Sequence, residues 1–216
     1  MSQENLKQHV VRHSEREEYS REQMYSWLDE TQLAHVGFID PDTNTPFVIP
    51  MGFVRDGDRI LLHGSSGSRF FMTLVKGVEI CITVTHLDGL VVARSAFNCS
   101  MNYRSVMVFG KAELLKDEAK LEALEKITNG LIPGHWENAR PMLKKESAAT
   151  IIVEVPLTNI SGKSRAAGAN DEPEDIDLPI WAGVIPMHVS YEGPIPEANA
   201  ADIPFPENLK GLVTPR

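Results

Sequence analysis

Residues 47–71 read FVIPMGFVRDGDRILLHGSSGSRFF, and the reading of this stretch decides the fold. Two runs rich in β-branched, aromatic and aliphatic residues, Phe47–Val54 and Arg59–His63, flank Asp56-Gly57-Asp58, a hairpin signal. The chain then leaves the second strand through small residues at 64–67. It enters a helix-like segment, Ser68–Lys76, with Phe70, Phe71, Leu74 and Val75 apolar and Gly77 placed as a stop. Antiparallel strands joined by a tight turn exclude a simple strand–helix alternation here, and the pattern continues on both sides.

Upstream, Ser20 and Gln23 have capping-box spacing, and Met24, Trp27 and Leu28 share one helical face. A short strand over Ala34–Asp40 ends at the turn signal Asp40-Pro41-Asp42. Downstream, Glu79–Thr85 and Leu90–Ala96 surround an expected turn at Asp88-Gly89, and Arg104–Leu115 reads as a long strand with a bulge at Gly110. Asp117–Leu131 predicts a helix from the spacing of Leu121, Leu124, Ile127 and Leu131. Thr150–Pro156 and Ile180–Met187 read as late strands, separated by an acidic loop, 166–177, expected to be a solvated charge run. The result is mainly β with inserted helices: six or more antiparallel strands of a barrel or sandwich in one domain. The expected organisation is a polar arm at 1–19, a folded domain at 20–190 and a proline-rich tail without regular structure at 191–216.

Composition narrows the function. The 216 residues carry 21 Lys and Arg against 30 Asp and Glu, a net charge of −9, which argues against a nucleic-acid binder. No apolar run reaches the ~18 residues of a membrane span. The polar, acidic start of the chain does not read as a signal or transit peptide. Two cysteines, Cys81 and Cys99, without a C-x-x-C pattern suit a reducing, cytoplasmic setting with both thiols free.

Chemistry-bearing motifs are few. Gly162-Lys163-Ser164 resembles the end of a P-loop, but Leu157 stands where its first glycine belongs. No Cys/His cluster marks a metal site, and no G-x-S-x-G marks a nucleophile elbow. His63-Gly64-Ser65-Ser66-Gly67-Ser68-Arg69 suits an anion site, because backbone N–H groups, hydroxyls and one guanidinium converge where glycine admits close approach. A plain surface turn with Ser68 as helix cap accounts for it equally. Trp181 is either core or a flat wall for a ring system.

Five segments in order carry a family resemblance: Phe47–Met51, Leu62–Arg69, Thr83–Gly89, Ser100–Val106 and Leu178–Pro186. Together they resemble the pyridoxamine-phosphate-oxidase-like flavin-nucleotide-binding proteins, on the branch that includes the nitroimidazole-resistance proteins. The resemblance implies a split β-barrel, a six-stranded antiparallel Greek-key barrel, working as a homodimer with FMN at the subunit interface. FAD and haem are the alternative cofactors. Carried onto this chain, it implies Val48, Ile49 and Pro50 along the isoalloxazine, and His63, Ser65, Ser68 and Arg69 at the phosphate. Asn102, Tyr103, Arg104 and Ser105 would reach the flavin from the partner subunit, and Trp181, with Lys163 or Arg165, would close the pocket. Oxidases of vitamin B6 phosphates in the family carry an Arg- and His-bearing C-terminal segment. Here His188 is present, but no arginine follows before Arg216. The expected function is therefore an FMN-dependent oxidoreductase that passes electrons from a nicotinamide donor to a small molecule such as a nitro compound or quinone. A flavin-storage protein and a haem-binding or haem-degrading protein are the alternatives, the last with His63, His86, His135 or His188 as axial ligand.

Overall fold

The computed structural model describes residues 14–18 and 20–213. Most of the expected polar arm therefore lies outside the described residues, as do Pro215 and Arg216.

A six-stranded antiparallel barrel forms the body. Strands β2 (Leu33–Ile39), β3 (Pro46–Asp56) and β4 (Arg59–Ser65) are successive hairpins, and β5 (Glu79–Val92) returns to pair with β2. The spatial order β5-β2-β3-β4 is a Greek key. The β3–β4 loop has two residues, with Gly57 at φ +58° in the first central position, where a tight hairpin favours glycine. β6 (Ser100–Lys111) pairs with β5, and after a break at Ala112 the short β7 (Glu113–Leu114) pairs with β8 (Thr150–Pro156). Because β8 also pairs with β4, the β6–β7 run closes the ring. The break falls at Ala112 and not at Gly110, which pairs in register with Ile80.

Alternation fills the interior. Ala34 and Val36 of β2, Ile80, Ile82 and Val84 of β5, and Val106 and Val108 of β6 are buried in one cluster with Phe53, Ile60, Leu62 and Phe71. Burying each large side chain contributes about 1.5–3 kcal/mol. Helix α1 (Arg21–Asp29), capped by Ser20, adds Met24, Trp27 and Leu28 to this core. Helix α3 (Asp117–Leu131) covers the outer side of β4 and β8 through Ala123, Leu124 and Ile127, whereas Leu121 is half exposed. Helix α2 (Arg69–Leu74) follows β4 and ends before Gly77 at φ +80°. Two short helices, α4 (His135–Asn138) and α5 (Lys144–Ala149), lie between α3 and β8.

Several local expectations are corrected. Asp88-Gly89 is no turn but a bulge in the unbroken β5, where Met187 donates its N–H to the Asp88 carbonyl. Gly162-Lys163-Ser164 belongs to a strand the sequence did not reveal, β9 (Ile160–Arg165), which pairs with β6. On its other side β9 pairs with β1 (Glu17–Glu18), so the described end of the arm is ordered against the sheet. The last strand, β10 (Gly183–Pro186), is shorter than Ile180–Met187 and pairs with the far half of β5. In the acidic loop, Asp171 is no solvated charge: its carboxylate is 6% exposed and accepts from the backbone and guanidinium of Arg94 at 2.7 and 2.6 Å. The tail forms 3-10 turns and one isolated bridge, Tyr191 to Val213. Asn208 returns to the α3–α4 corner, donating to the Pro133 carbonyl.

Gly64 illustrates how tightly β4 is packed. A Cβ there would stand 2.2 Å from the buried Phe71 ring. Gly64→Ala is expected to destabilise the protein by about 1–3 kcal/mol, read as a lower denaturation midpoint.

Candidate functional site

Strand alternation divides the residues singled out in the sequence between two sides of one sheet. Pro50, His35, Thr83, Met107 and Ser161 are register neighbours across β3, β2, β5, β6 and β9, and Val48, Gly37, Cys81 and Phe109 form the next row. Ser105 and Lys163 pair one row further, and Tyr103 pairs with Leu87 and Arg165 beyond that. All point away from the barrel interior. Val48, Pro50, Tyr103, Ser105 and Lys163 thus share one outer face. It is strongly apolar: Leu33, Ile39, Val48 and Met107 are 53%, 57%, 67% and 37% exposed. With Leu87, Leu90 and Met101 beside them, they expose several hundred Å² of apolar surface, the size at which a patch marks an interaction site.

Ile49 and Arg104 lie on the other side. Ile49 packs against the barrel core. Arg104 pairs with His86 across the strands and faces α1. Its guanidinium donates twice to Asp88, at 2.9 and 2.8 Å, and once to Glu30. These bonds hold the Arg104 pKa above its usual value and the Asp88 carboxyl below its own. Asn102 is also engaged, its Oδ1 accepting from Arg165 at 2.6 Å and from the Ala167 N–H at 3.1 Å. Trp181 precedes β10, 62% exposed, with its indole against Gly183.

The β4–α2 loop presents a second arrangement. Ser65 Oγ accepts from Gly67 N–H, and Ser68 caps α2 with a hydroxyl that makes no capping bond. Arg69, 77% exposed, stands 3.6 Å from Asp40 and over the Phe47 ring. Arg69, Ser68, Asp40, Phe38, Phe47 and Ile49 help to line a cavity of about 260 Å³ at the barrel mouth. Asp40 is buried, and the N–H groups of Asp42 and Thr43, with Arg69 beside them, hold its carboxyl below the usual range. The sequence showed Asp40 only as a turn residue, an Asx turn being its local reason for existing. Its role as the counter-charge to Arg69 is a tertiary fact.

His63 differs from the other three histidines named above. It follows Leu62 on β4, pairs with Ile152 and lies on the outer side with Leu61. Its Nδ1 is buried without a partner, and burial pushes its pKa below the ordinary value, so the ring is neutral at pH 7. A neutral imidazole brings no charge to a phosphate. His86 Nε2 is 2.8 Å from the Trp27 carbonyl, His135 opens α4, and His188 is exposed beyond β10.

A larger cleft, about 730 Å³, lies between α3, α4 and α5, lined by Leu121, Trp136, Met142 and the Arg140–Glu146 ion pair. No motif in the sequence marks it. Among the described residues no group of three His, Cys, Asp or Glu side chains could hold a metal ion, and no helix is long and apolar enough to cross a membrane.

A closed Greek-key barrel with an apolar outer face and a Ser/Arg loop at its mouth defines a split-barrel protein. The chain belongs to the pyridoxamine 5'-phosphate oxidase family, whose family model matches residues 20–164. Two solved structures resemble it over nearly its whole length. The flavocytochrome Anf3 from Azotobacter vinelandii is 43% identical, with a TM-score of 0.89, over 96% of this chain and 97% of its own. The FAD and haem binding protein from Mycobacterium smegmatis is 36% identical, with a TM-score of 0.88, over 92% and 97%. A proposed 5-nitroimidazole antibiotic resistance protein from Bacteroides thetaiotaomicron, 23% identical with a TM-score of 0.57 over 68% and 85%, shares the fold. Among proteins of curated function none matches the chain.

The lowered Asp40 pKa has a pH consequence. Its contribution to stability is complete above the unfolded carboxyl pKa near 3.8 and is lost as pH falls through the lower folded value. Asp40→Asn should therefore flatten the fall of melting temperature on acidification below pH 4. An unchanged slope would mean that other carboxyls carry it.

Proposed function

We propose that this chain is a redox protein that binds two cofactors, a flavin nucleotide and a haem, and works as a homodimer. The observation that carries this reading is the likeness, at 43% and 36% identity over more than nine-tenths of the chain, to a flavocytochrome and to an FAD and haem binding protein. The likeness to the FAD and haem binding protein, at 36% identity, supports FAD in place of FMN as the flavin.

The residues fit a flavin. Val48 and Pro50 offer an apolar strand edge on the outer face, suited to one side of an isoalloxazine. Arg69, with Ser65 and Ser68, offers the flavin phosphate an exposed cation and hydroxyls. Asp40 offsets part of that charge, which orients the guanidinium and moderates its hold. Tyr103, Ser105 and Lys163 of a second copy, on the same outer face, would approach the flavin from the opposite side. In this reading Arg104 positions the β5 bulge through Asp88 and does not touch the flavin. A bound flavin supplies two-electron and one-electron transfer, and the protein's part is to orient it and exclude water. A nicotinamide donor and a small-molecule acceptor complete the proposed reaction.

The second copy is supported by the apolar face itself. A stable dimer buries about 800 Å² on each partner, and the exposed side chains of β2, β3, β5 and β6 offer most of that from one sheet.

Flavin extracted from the purified protein should chromatograph as FAD, and anaerobic NADH or NADPH should bleach the bound flavin. Bleaching by no physiological donor would favour a store over an enzyme. Arg69→Ala should weaken flavin binding by about 1.5–3 kcal/mol, measured by titration of the apoprotein; unchanged affinity would move the phosphate elsewhere. In solution the wild type should have the mass of two chains, and Met107→Glu should shift it towards one. A monomeric wild type would contradict the shared site.

A further inference from the structure

We propose that residues 193–206 form an arm that packs on a second copy of this chain and extends the dimer interface, an inference that rests on the homodimer reading above. Strand register places the root of this arm. β10 pairs antiparallel with residues 89–92 of β5, and β2 pairs antiparallel with residues 80–83. β6 occupies the other edge of β5 along both stretches. β10 and β2 therefore lie end to end on one edge, with Pro186 toward the N-terminal end of β2. The chain leaving β10 crosses that gap. Met187 donates its N–H to the Asp88 carbonyl, and the Tyr191 hydroxyl donates to Gln32, the residue before β2, at 3.4 Å. The gap borders the apolar outer face. Ile185, Leu90 and Met101 form one partly exposed cross-strand row on its β10 side, and Leu33 follows Gln32 on its β2 side.

From Tyr191 the chain makes an excursion and returns. Tyr191 bridges Val213, and Asn208 is fixed at the α3–α4 corner, donating to the Pro133 carbonyl and accepting from Asn138 at 2.8 Å. The two feet are held, and the span between them is not. Among the described residues, 193–206 hydrogen-bond only to one another and to the adjacent turn, as in Ala200 N–H to the Glu197 carbonyl and Leu209 N–H to the Pro206 carbonyl. The apolar side chains of this span point into water: Ile195 is 95% exposed and Ile203 largely so, and Val189 in the approach to it is 99% exposed. Single exposed apolar side chains are ordinary, but this series continues an apolar face. Pro194, Pro196, Pro204 and Pro206 fix φ at four positions, which stiffens the span without a backbone ladder. A segment stiffened in advance loses little entropy on docking, so its apolar contacts add to affinity.

A second copy is the partner that fits. The arm is rooted at the border of the face that the homodimer buries. In a two-fold pair, an element at the rim of that face in one copy stands at the rim of the other. The sheet supplies most of the roughly 800 Å² that a stable dimer buries on each side. The arms add apolar area beyond the sheet, with Ile195 and Ile203 against the partner subunit.

The test uses the full chain with a photoreactive phenylalanine analogue placed at Ile195. Unlabelled and heavy-isotope-labelled chains are mixed and allowed to exchange, then irradiated and analysed by peptide mass spectrometry. Cross-linked peptides should join a light chain to a heavy one. Ile195→Asp combined with Ile203→Asp, both at exposed positions, should keep the wild-type circular dichroism and raise the dimer dissociation constant about tenfold or more by sedimentation. Cross-links within one chain, or none, from a dimeric protein would overturn the arm and leave the homodimer standing. An unchanged dissociation constant in the double variant would overturn the arm equally. A monomeric wild type would overturn the homodimer reading itself, and the arm with it.

Discussion

The closure of the barrel by the β6–β7 run is the constraint on which the rest of the structure depends. Once β7 reaches β8, every strand residue must face either the interior or the outside, because side chains alternate with a period of two. The interior takes Val36, Ile82, Val84, Val106 and Val108. What is left outside on β2, β3, β5 and β6 includes Leu33, Ile39, Val48 and Met107, each more than a third exposed. The same alternation sends Val48, Pro50, Tyr103 and Ser105 to one side and Ile49 and Arg104 to the other. The residues that share a short motif therefore divide between a surface and a support.

Electrostatics refine this division. With a net charge of −9, most arginines are held by carboxylates: Arg104 by Asp88 and Glu30, Arg94 by Asp171, Arg59 by Asp56 and Glu154. These pairs fix loops and the bulge to the barrel. Arg69 differs from these. It is largely exposed and only loosely paired with Asp40, so it can turn to an incoming anion. An acidic protein can thus hold a phosphate-bearing cofactor with a local cation and without a basic surface.

Much of the architecture was legible in the sequence, for reasons that differ by element. The β3–β4 hairpin and helices α1, α2 and α3 announce themselves because turn chemistry, caps and apolar spacing are local. β9 did not. It lies between β6 and the short β1, its side chains are largely polar, and Gly162 is required because a Cβ there would stand 2.7 Å from Met24. Asp88-Gly89 has the composition of a turn. The structure uses it as a bulge, since β10 brings the Ile185 carbonyl within 2.9 Å of where a Gly89 Cβ would be. The residue types of the candidate site could be read from the ordered motifs, but their facing could not. Arg104 resembles a free cation in the sequence, and only the fold brings Asp88 and Glu30 to it. Nor does any spacing disclose that His63 Nδ1 is buried without a partner.

The central claim is that one small barrel carries both a flavin and a haem. The most direct measurement is the absorption spectrum of the purified protein with both cofactors quantified per chain, before and after anaerobic reduction. The account predicts a flavin envelope and a Soret band together, with stoichiometries approaching one of each per chain and both bands responding to reductant. A protein that holds flavin alone under saturating hemin, or haem alone under saturating flavin, would contradict it.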